Sequence, residues 1–332
     1  MTQLRGRVWR DGELVATDVP LADLDAHLAD SSTLTWLDLC DPGGEVLAQL
    51  AAELGLDRHA IEDAVAPRER PKATRHATHT FLTCYTAALI EGADGLPALA
   101  IGRISAFVMP RGLITVRVDR GAEVDLGEVV ERWEGAGLLG HGVGALVHGL
   151  LDFLVDGHFE AVQAMDDRLE ELEDLLFSET VRTREIQVRV FALRKALTTL
   201  RRVVLPMREV VAAVMRHRLL DASDSARELD GEFADLYDHV LRAAEWTESL
   251  RDMVTSVFET NLSLQDARLN TIMKKLASWG AIIAVPTAVT GWFGQNLPYW
   301  GFSSTWGLWQ SVVLIIVGTI GLYWLFRRND WL

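Results

Sequence analysis

An α/β N-terminal domain on the cytosolic side, continued by long helices and closed by two C-terminal transmembrane helices, is the fold class this 332-residue sequence predicts. Three observations carry the prediction. Strand-like apolar runs are confined to the part before Val124. Long tracts of helical periodicity with few breakers follow it. From Leu276 to Phe326 there is no Asp, Glu, Lys or Arg, in a chain that is otherwise 24% charged.

In the first part, β-branched and aromatic runs place strands at Gly6–Trp9, Leu34–Asp38, Thr80–Leu89, Ile101–Met109 and Leu113–Val118. Helices fit Glu45–Leu54 and Arg58–Val65. Turn residues punctuate the stretch at Asp41-Pro42-Gly43-Gly44, Gly92 to Pro97 and Pro110-Arg111-Gly112. Three helical tracts come next: Val143 to Phe177, Thr183 to His217, and one from Gly231 onward. Pro206 should kink the second. The linker Asp221 to Ser225 precedes the third, which has no Pro or Gly between Gly231 and Gly280. That tract should run unbroken into the charge-free region, and a helix so long needs neighbours to pack on.

Two spans fit inside that region, Leu276 to Phe293 and Trp306 to Phe326, each close to the ~20 residues that cross a bilayer core. Lys274 and Lys275 precede the first and Arg327 and Arg328 follow the second, while the connection holds no basic residue. Positive charge stays inside, so both long ends should be cytoplasmic and the connection external. Trp292, Tyr299, Trp300, Trp306 and Trp309 crowd that connection as interfacial aromatics do.

The formal charge of −15 argues against nucleic acid as a partner. No GxxxxGK[ST] loop is present, so no nucleotide is expected either. Cys40 and Cys84 lie far apart in strand-like runs with no CxxC neighbour and read as reduced core residues. The acidic run Met165 to Asp174 reads as a solvated helix face near Arg201-Arg202. His76 and His79 read as strand-edge residues in water. No hydrolase, transferase or oxidoreductase constellation stands out, and the chain is not expected to be an enzyme.

The third tract has two faces. Leu236, Val240, Ala243, Thr247, Leu250, Val254, Val257, Asn261 and Leu264 form a mostly apolar heptad seam suited to helix packing. A second stripe holds Glu245, Ser249, Asp252, Ser256, Glu259, Ser263, Asp266 and Asn270. It enters the first span as Met273, Ala277, Gly280, Ala284, Thr287 and Gly291. A solvated face continued by a small-residue packing face would account for it. So would one wall of a cation pathway, which needs several copies because two spans cannot enclose a pore.

After the first span comes Gly294-Gln295-Asn296, preceded by Val285-Pro286-Thr287. With these residues the chain resembles the CorA-type divalent cation transporters, including the ZntB-like branch, whose hallmark is a Gly-x-Asn tripeptide at the outer end of the first of two C-terminal spans. Other segments are similar as well. They are Arg327 to Leu332 at the end, Asp235-Leu236-Tyr237-Asp238-His239 on the third tract, Asn270, His59 to Asp63 with Arg70-Pro71-Lys72, and Phe191 to Val210. Two departures stand out. Gln295 replaces the usual Met, and the external segment carries no acidic residue.

The resemblance implies a CorA-like funnel. Its parts would be a cytosolic α/β domain (1–140), a helical hairpin (141–220), a stalk helix (230–275), a pore-lining span (276–293), an external Gly-x-Asn loop (294–305), a second span (306–326) and a basic tail (327–332). It implies a homopentamer in the cell (inner) membrane, with lipid and divalent cations as its other partners. Gly294, Gln295 and Asn296 would form the selectivity filter. Glu259, Asn270, Met273, Ala277, Gly280, Ala284, Thr287 and Gly291 would line the pore. Asn296 offers an uncharged carbonyl that can accept hydrogen bonds from the waters of Mg²⁺, an ion that sheds its shell reluctantly. Asp235 would face Glu62 or Asp63 of a neighbouring subunit around a regulatory metal, with Asp238 a further candidate ligand. No prosthetic group is implied; a divalent metal is substrate and regulator. Mg²⁺ is expected first, with Zn²⁺, Co²⁺ or Ni²⁺ and proton coupling as the alternative, and a non-conducting membrane-anchored sensor as the rival from another class.

Overall fold

The computed structural model of the chain describes residues 3–67, 69–118, 125–176, 183–219, 227–295, 298, 300–302 and 304–332. Two compact units are present, Met1–Val257 and Phe258–Leu332.

The first unit is built on a seven-stranded sheet. Its strands are β1 (Gln3–Arg10), β2 (Glu13–Thr17), β3 (Thr33–Cys40), β4 (Lys72–Arg75), β5 (Thr80–Glu91), β6 (Pro97–Met109) and β7 (Gly112–Arg117). They lie in the order β2-β1-β3-β7-β6-β5-β4. Every pairing is antiparallel except β3 with β7, which is parallel. The helices of this unit are α1 (Leu24–Ala29), α2 (Gly44–Leu54), α3 (Arg58–Val65), α4 (Gly127–Gly135), α5 (Val143–Leu176), α6 (Thr183–Val204) and α7 (Met207–Leu219).

Strand alternation sends side chains to two apolar layers. Leu34, Trp36, Leu82, Cys84, Ile104 and Leu113 face one of them, shared with α4, α5 and α7. Leu37, Leu39, Phe81, Phe107, Ile114 and Val116 face the other, with α1, α2 and α3. The central strands are therefore buried on both sides: β7 has no exposed residue. Cys84 is sealed in the first layer, where burial pushes its thiol up to about 12. Neither cysteine is in a disulfide.

Three indoles fix α4 and α5 against the sheet. Trp133 stands edge-on to Trp36 at 5.2 Å and to Trp9 at 6.1 Å, and its Nε1–H donates to the Leu146 carbonyl at 3.1 Å. A Cβ on Gly149 would come within 2.7 Å of that ring, so only glycine admits α5 so close.

At the junction of β3 and β7 a buried network closes the sheet. Trp36 Nε1 donates to Thr115 Oγ1 at 3.1 Å, Thr115 donates to Asp38 Oδ1 at 2.7 Å, and Arg117 Nε reaches the same carboxylate at 3.0 and 3.1 Å.

His158 is sealed between α5 and β5. A carbonyl can only accept, so its Nε2–H donates to Tyr85 O at 2.8 Å. Burial pushes this imidazole down to about 4, against about 6.5 in the unfolded chain. Between those values the unfolded chain binds the extra proton. The His158 contribution is therefore complete above about pH 6.5 and is lost as pH falls towards 4, by about 3 kcal/mol in all. Thermal melting between pH 7 and pH 5 should fall in step, and His158→Gln should flatten that part of the profile. An unchanged slope would place the acid sensitivity elsewhere.

The second tract is not one kinked helix. It ends at Val204 and restarts at Met207, with the Pro206 carbonyl accepting from the Glu209 and Val210 amides at 3.0 and 3.1 Å. Proline lacks the N–H that would have carried the ladder through. Arg201 pairs with Glu248 at 2.9 Å, not with the acidic run on α5. His79 is buried at 4% exposure, stacked on His76 at 4.8 Å, which corrects its placement in water. Val124 and the linker Asp221 to Ser225 lie outside the described residues.

The third tract is one helix, α8 (Asp230–Phe293), and α9 (Thr305–Arg328) follows it. The predicted seam is buried from Leu236 to Asn261, and Leu264 is half-buried. Phe233, Leu236 and Val240 belong to the sheet's first apolar layer. In the second unit, α9 crosses the upper part of α8 closely: a Cβ on Gly318 would meet Val285 Cγ1 at 2.8 Å. Ser304 caps α9.

Candidate cation pathway and metal-binding residues

Two helices are long and apolar enough to cross a membrane, the upper part of α8 and all of α9. Apart from Ile282, their large apolar side chains are half-buried or open, not core. Leu276 is 67% exposed, Ile283 64%, and Val317 64%. A bilayer supplies the apolar surroundings that the chain itself does not.

The acidic and small stripe of α8 is exposed along its whole length. Glu245, Ser249, Asp252, Ser256, Glu259, Ser263, Asp266 and Asn270 are all open, and so are Met273, Ala277, Gly280, Ala284, Thr287 and Gly291 above them. The two glycines are informative. An added Cβ at Gly280 or Gly291 would meet nothing within 4 Å, so packing inside one chain does not require them. Gly318, on the packed side, is the contrast. The Thr287 hydroxyl spends its only proton on the Ile283 carbonyl at 3.0 Å. Its oxygen is left with acceptor capacity on an exposed residue, the kind of group that the waters of a cation seek.

At the top of α8, the Gly294 amide donates to Thr290 O at 2.8 Å, and a Cβ there would stand 2.9 Å from the same oxygen. Glycine is what lets the helix end this tightly. The Gln295 amide follows, donating to Trp292 O at 3.3 Å. Asn296, Leu297 and Tyr299 lie outside the described residues.

The predicted regulatory acids lie in the first unit. Asp57 caps α3, accepting from the His59 and Ala60 amides, which places Glu62 and Asp63 on the helix's last turn. Glu62 is exposed. Asp63 is not idle: Lys72 Nζ donates to it at 2.5 Å and to Glu69 at 2.9 Å. The two carboxylates hold the Lys72 ammonium above its usual range despite the cost of burial. On α8, Asp235 and Asp238 are open, with Asp235 lying 3.6 Å from His239 and Asp238 lying 3.2 Å from Arg242.

One group was missed by sequence reasoning. Asp152, Asp156 and His239 bring their donor atoms within 4.8 Å of one another, the only such group of three His, Cys, Asp or Glu among the described residues. Burial and the neighbouring Asp156 push the Asp152 carboxyl up. Arg132 answers that charge, reaching Asp156 at 2.6 Å and Asp152 at 3.5 Å. The i, i+4 spacing of the two acids on α5 was the available signal, but only folding brings His239 to them. Since His239 also neighbours Asp235, these acids and Asp235 share one imidazole.

The family described as CorA-like Mg²⁺ transporter protein matches residues 31–328. The cobalt/magnesium transport protein CorA of Methanocaldococcus jannaschii is 26% identical over 97% of this chain and 98% of its own. The zinc transport protein ZntB of Cronobacter sakazakii is 26% identical over 93% of this chain and 91% of its own. The complete structure of the CorA magnesium transporter from M. jannaschii superposes with a TM-score of 0.75, covering 99% of this chain and 98% of that one at 22% identity, a likeness of fold.

Proposed function

The chain belongs to the CorA-like Mg²⁺ transporter family, and from that premise we propose that several copies enclose a membrane pathway for divalent cations, with Mg²⁺ as the ion carried. The open stripe of α8 is the observation that supports this best. Its acids and small residues run from Glu245 to Gly291 on one face, and its glycines answer no packing need within the chain. A bare anchor would need neither. Carboxylates below the span would concentrate cations, and the narrow side chains above would leave room for water. Five copies are the number the family resemblance suggests, with both termini on the cytoplasmic side of the cell membrane.

Selection falls to Gly294, Gln295 and Asn296. A ring of uncharged carbonyls can hold a hydrated ion loosely enough to release it. The membrane potential is sufficient drive: two charges crossing 100 mV gain about 4.6 kcal/mol. The likeness to a zinc transport protein, Gln295 in place of Met and the acid-free external segment favour Zn²⁺, Co²⁺ or Ni²⁺ as a second reading, with proton coupling. Met273 is the one soft side chain on the stripe.

The test is entry of Mg²⁺ into proteoliposomes under an inside-negative potential. Uptake that follows the potential supports the channel. Absence of Mg²⁺ uptake with Zn²⁺ uptake driven by a pH gradient supports the second reading. No uptake of either by folded oligomer leaves a non-conducting metal sensor.

Regulation by cytoplasmic metal rests on Asp235, with Glu62, Asp63 or Asp238 as partners. Facing carboxylates repel when empty and are bridged by a divalent ion. A metal there has to displace Lys72 from Asp63. Asp235→Ala should abolish the protection from protease that Mg²⁺ confers on the N-terminal unit. Full protection in the variant would remove Asp235 from the regulatory site.

A further inference from the structure

A cavity of about 430 Å³ opens in the first unit, bounded by the turn before β5, the end of β6, the start of α5 and the end of α7. Small organic ligands are enclosed in cavities of this size. Its polar wall is made of Arg75, His76, His79, His141, His217 and Arg218. No described residue lining it is Asp or Glu, although the chain holds 47 acids against 32 Lys and Arg. Four of the nine histidines gather here. Basic groups are thus concentrated against the sign of the whole molecule.

Three described carboxylates pair with this wall, and none of the three lines the cavity. Asp57 is 3.7 Å from His76, Glu228 is 2.8 Å from His141, and Asp230 is 3.7 Å from Arg218. They orient the basic side chains. The Arg218 guanidinium also lies over the Phe233 ring at 4.0 Å. Burial lowers its proton affinity by more than Asp230 restores. Arg75 is tied to the same wall, donating to the His217 carbonyl at 2.9 Å. Gly142, Val143 and Gly144 bring the first turn of α5 to the cavity. The start of so long a helix favours negative charge. The apolar part of the lining includes Val147, Val214 and Leu229.

We propose that this cavity binds a small organic phosphate, its phosphate held by the arginine and histidine wall and its carbon body laid on the valine and leucine wall. Guanidinium forks match phosphate oxygens in pairs. A bare ion would leave the apolar wall empty. The site is independent of the cation pathway, and the proposal stands whatever ion is carried.

Calorimetric titration of the full-length chain in detergent, with phenyl phosphate as the probe and inorganic phosphate and phenol beside it, tests the site. Phenyl phosphate should bind at least tenfold more tightly than either comparison compound. Arg75→Gln and Arg218→Gln should each weaken it tenfold or more, while Arg168→Gln, outside the cavity, should not. Arg218 contacts a core ring, so thermal melting of each variant separates a lost site from a lost fold, and the exposed Arg75 keeps the test independent of packing. Equal binding of inorganic phosphate would mean an adventitious ion only. Absence of heat, or binding unaltered in a folded Arg75→Gln variant, would overturn the proposal.

Discussion

Asn296→Ala is expected to lower potential-driven Mg²⁺ entry into proteoliposomes by about tenfold or more, with oligomer assembly and the melting of the N-terminal unit unchanged. The Asn side chain supplies an acceptor that the water shell of a cation can donate to, and alanine supplies none. A hydrogen bond to a charged group carries about 1.5–3 kcal/mol, and each 1.4 kcal/mol is a factor of ten. In an oligomer every copy loses its share at once. Asn296→Gln keeps the amide but moves it outward by one carbon, so it should fall between the two. Asn296→Asp is expected to hold the ion too firmly and to slow release. Wild-type uptake by folded Asn296→Ala protein would remove this residue from selection and leave Gly294 with its helix-ending role alone.

Asp38→Ala should carry the largest cost to stability, about 3–5 kcal/mol, because it leaves the Arg117 guanidinium in the interior without its carboxylate. Asp38 is 1% exposed and accepts from both Arg117 and Thr115. Thermal melting of the solubilised protein reads the loss. Replacing both charges together, as Asp38→Leu with Arg117→Met, is expected to cost much less, since a well-packed apolar pair avoids the penalty of one stranded charge. Equal losses in the single and double variants would show that shape, not charge, sets the cost.

What could be read from the sequence follows from where burial lies. The central strands β3, β5, β6 and β7 are apolar on both faces and announce themselves as apolar runs. The strands that went unread, β2 and β4, are the two edges of the sheet. β2 reads Glu-Leu-Val-Ala-Thr and is almost wholly exposed, and β4 is Lys-Ala-Thr-Arg with no large apolar residue. Edge strands are held by backbone pairing, which composition does not record. Helix α4 was also missed, for it is only Gly127–Gly135 and buries just Val129, Val130 and Trp133. The two faces of α8 were legible because a helix repeats its surroundings every seven residues. The grouping of Asp152 and Asp156 with His239, and the buried position of His79, depend on contacts across long sequence separations and left no periodic trace.

The one parallel pairing in the sheet has a consequence for how the chain acquires its shape. β5, β6 and β7 are successive antiparallel neighbours, and β1, β2 and β3 form a second local set. Each set can assemble from short-range contacts. β3 meets β7 only after Thr35 finds Gly112 and Cys40 finds Arg117, a search with a large loop-closure cost. The seam should therefore close late, and the Asp38–Arg117 clasp that locks it should act mainly on the rate at which the sheet comes apart, holding the two halves together for as long as the protein has to work.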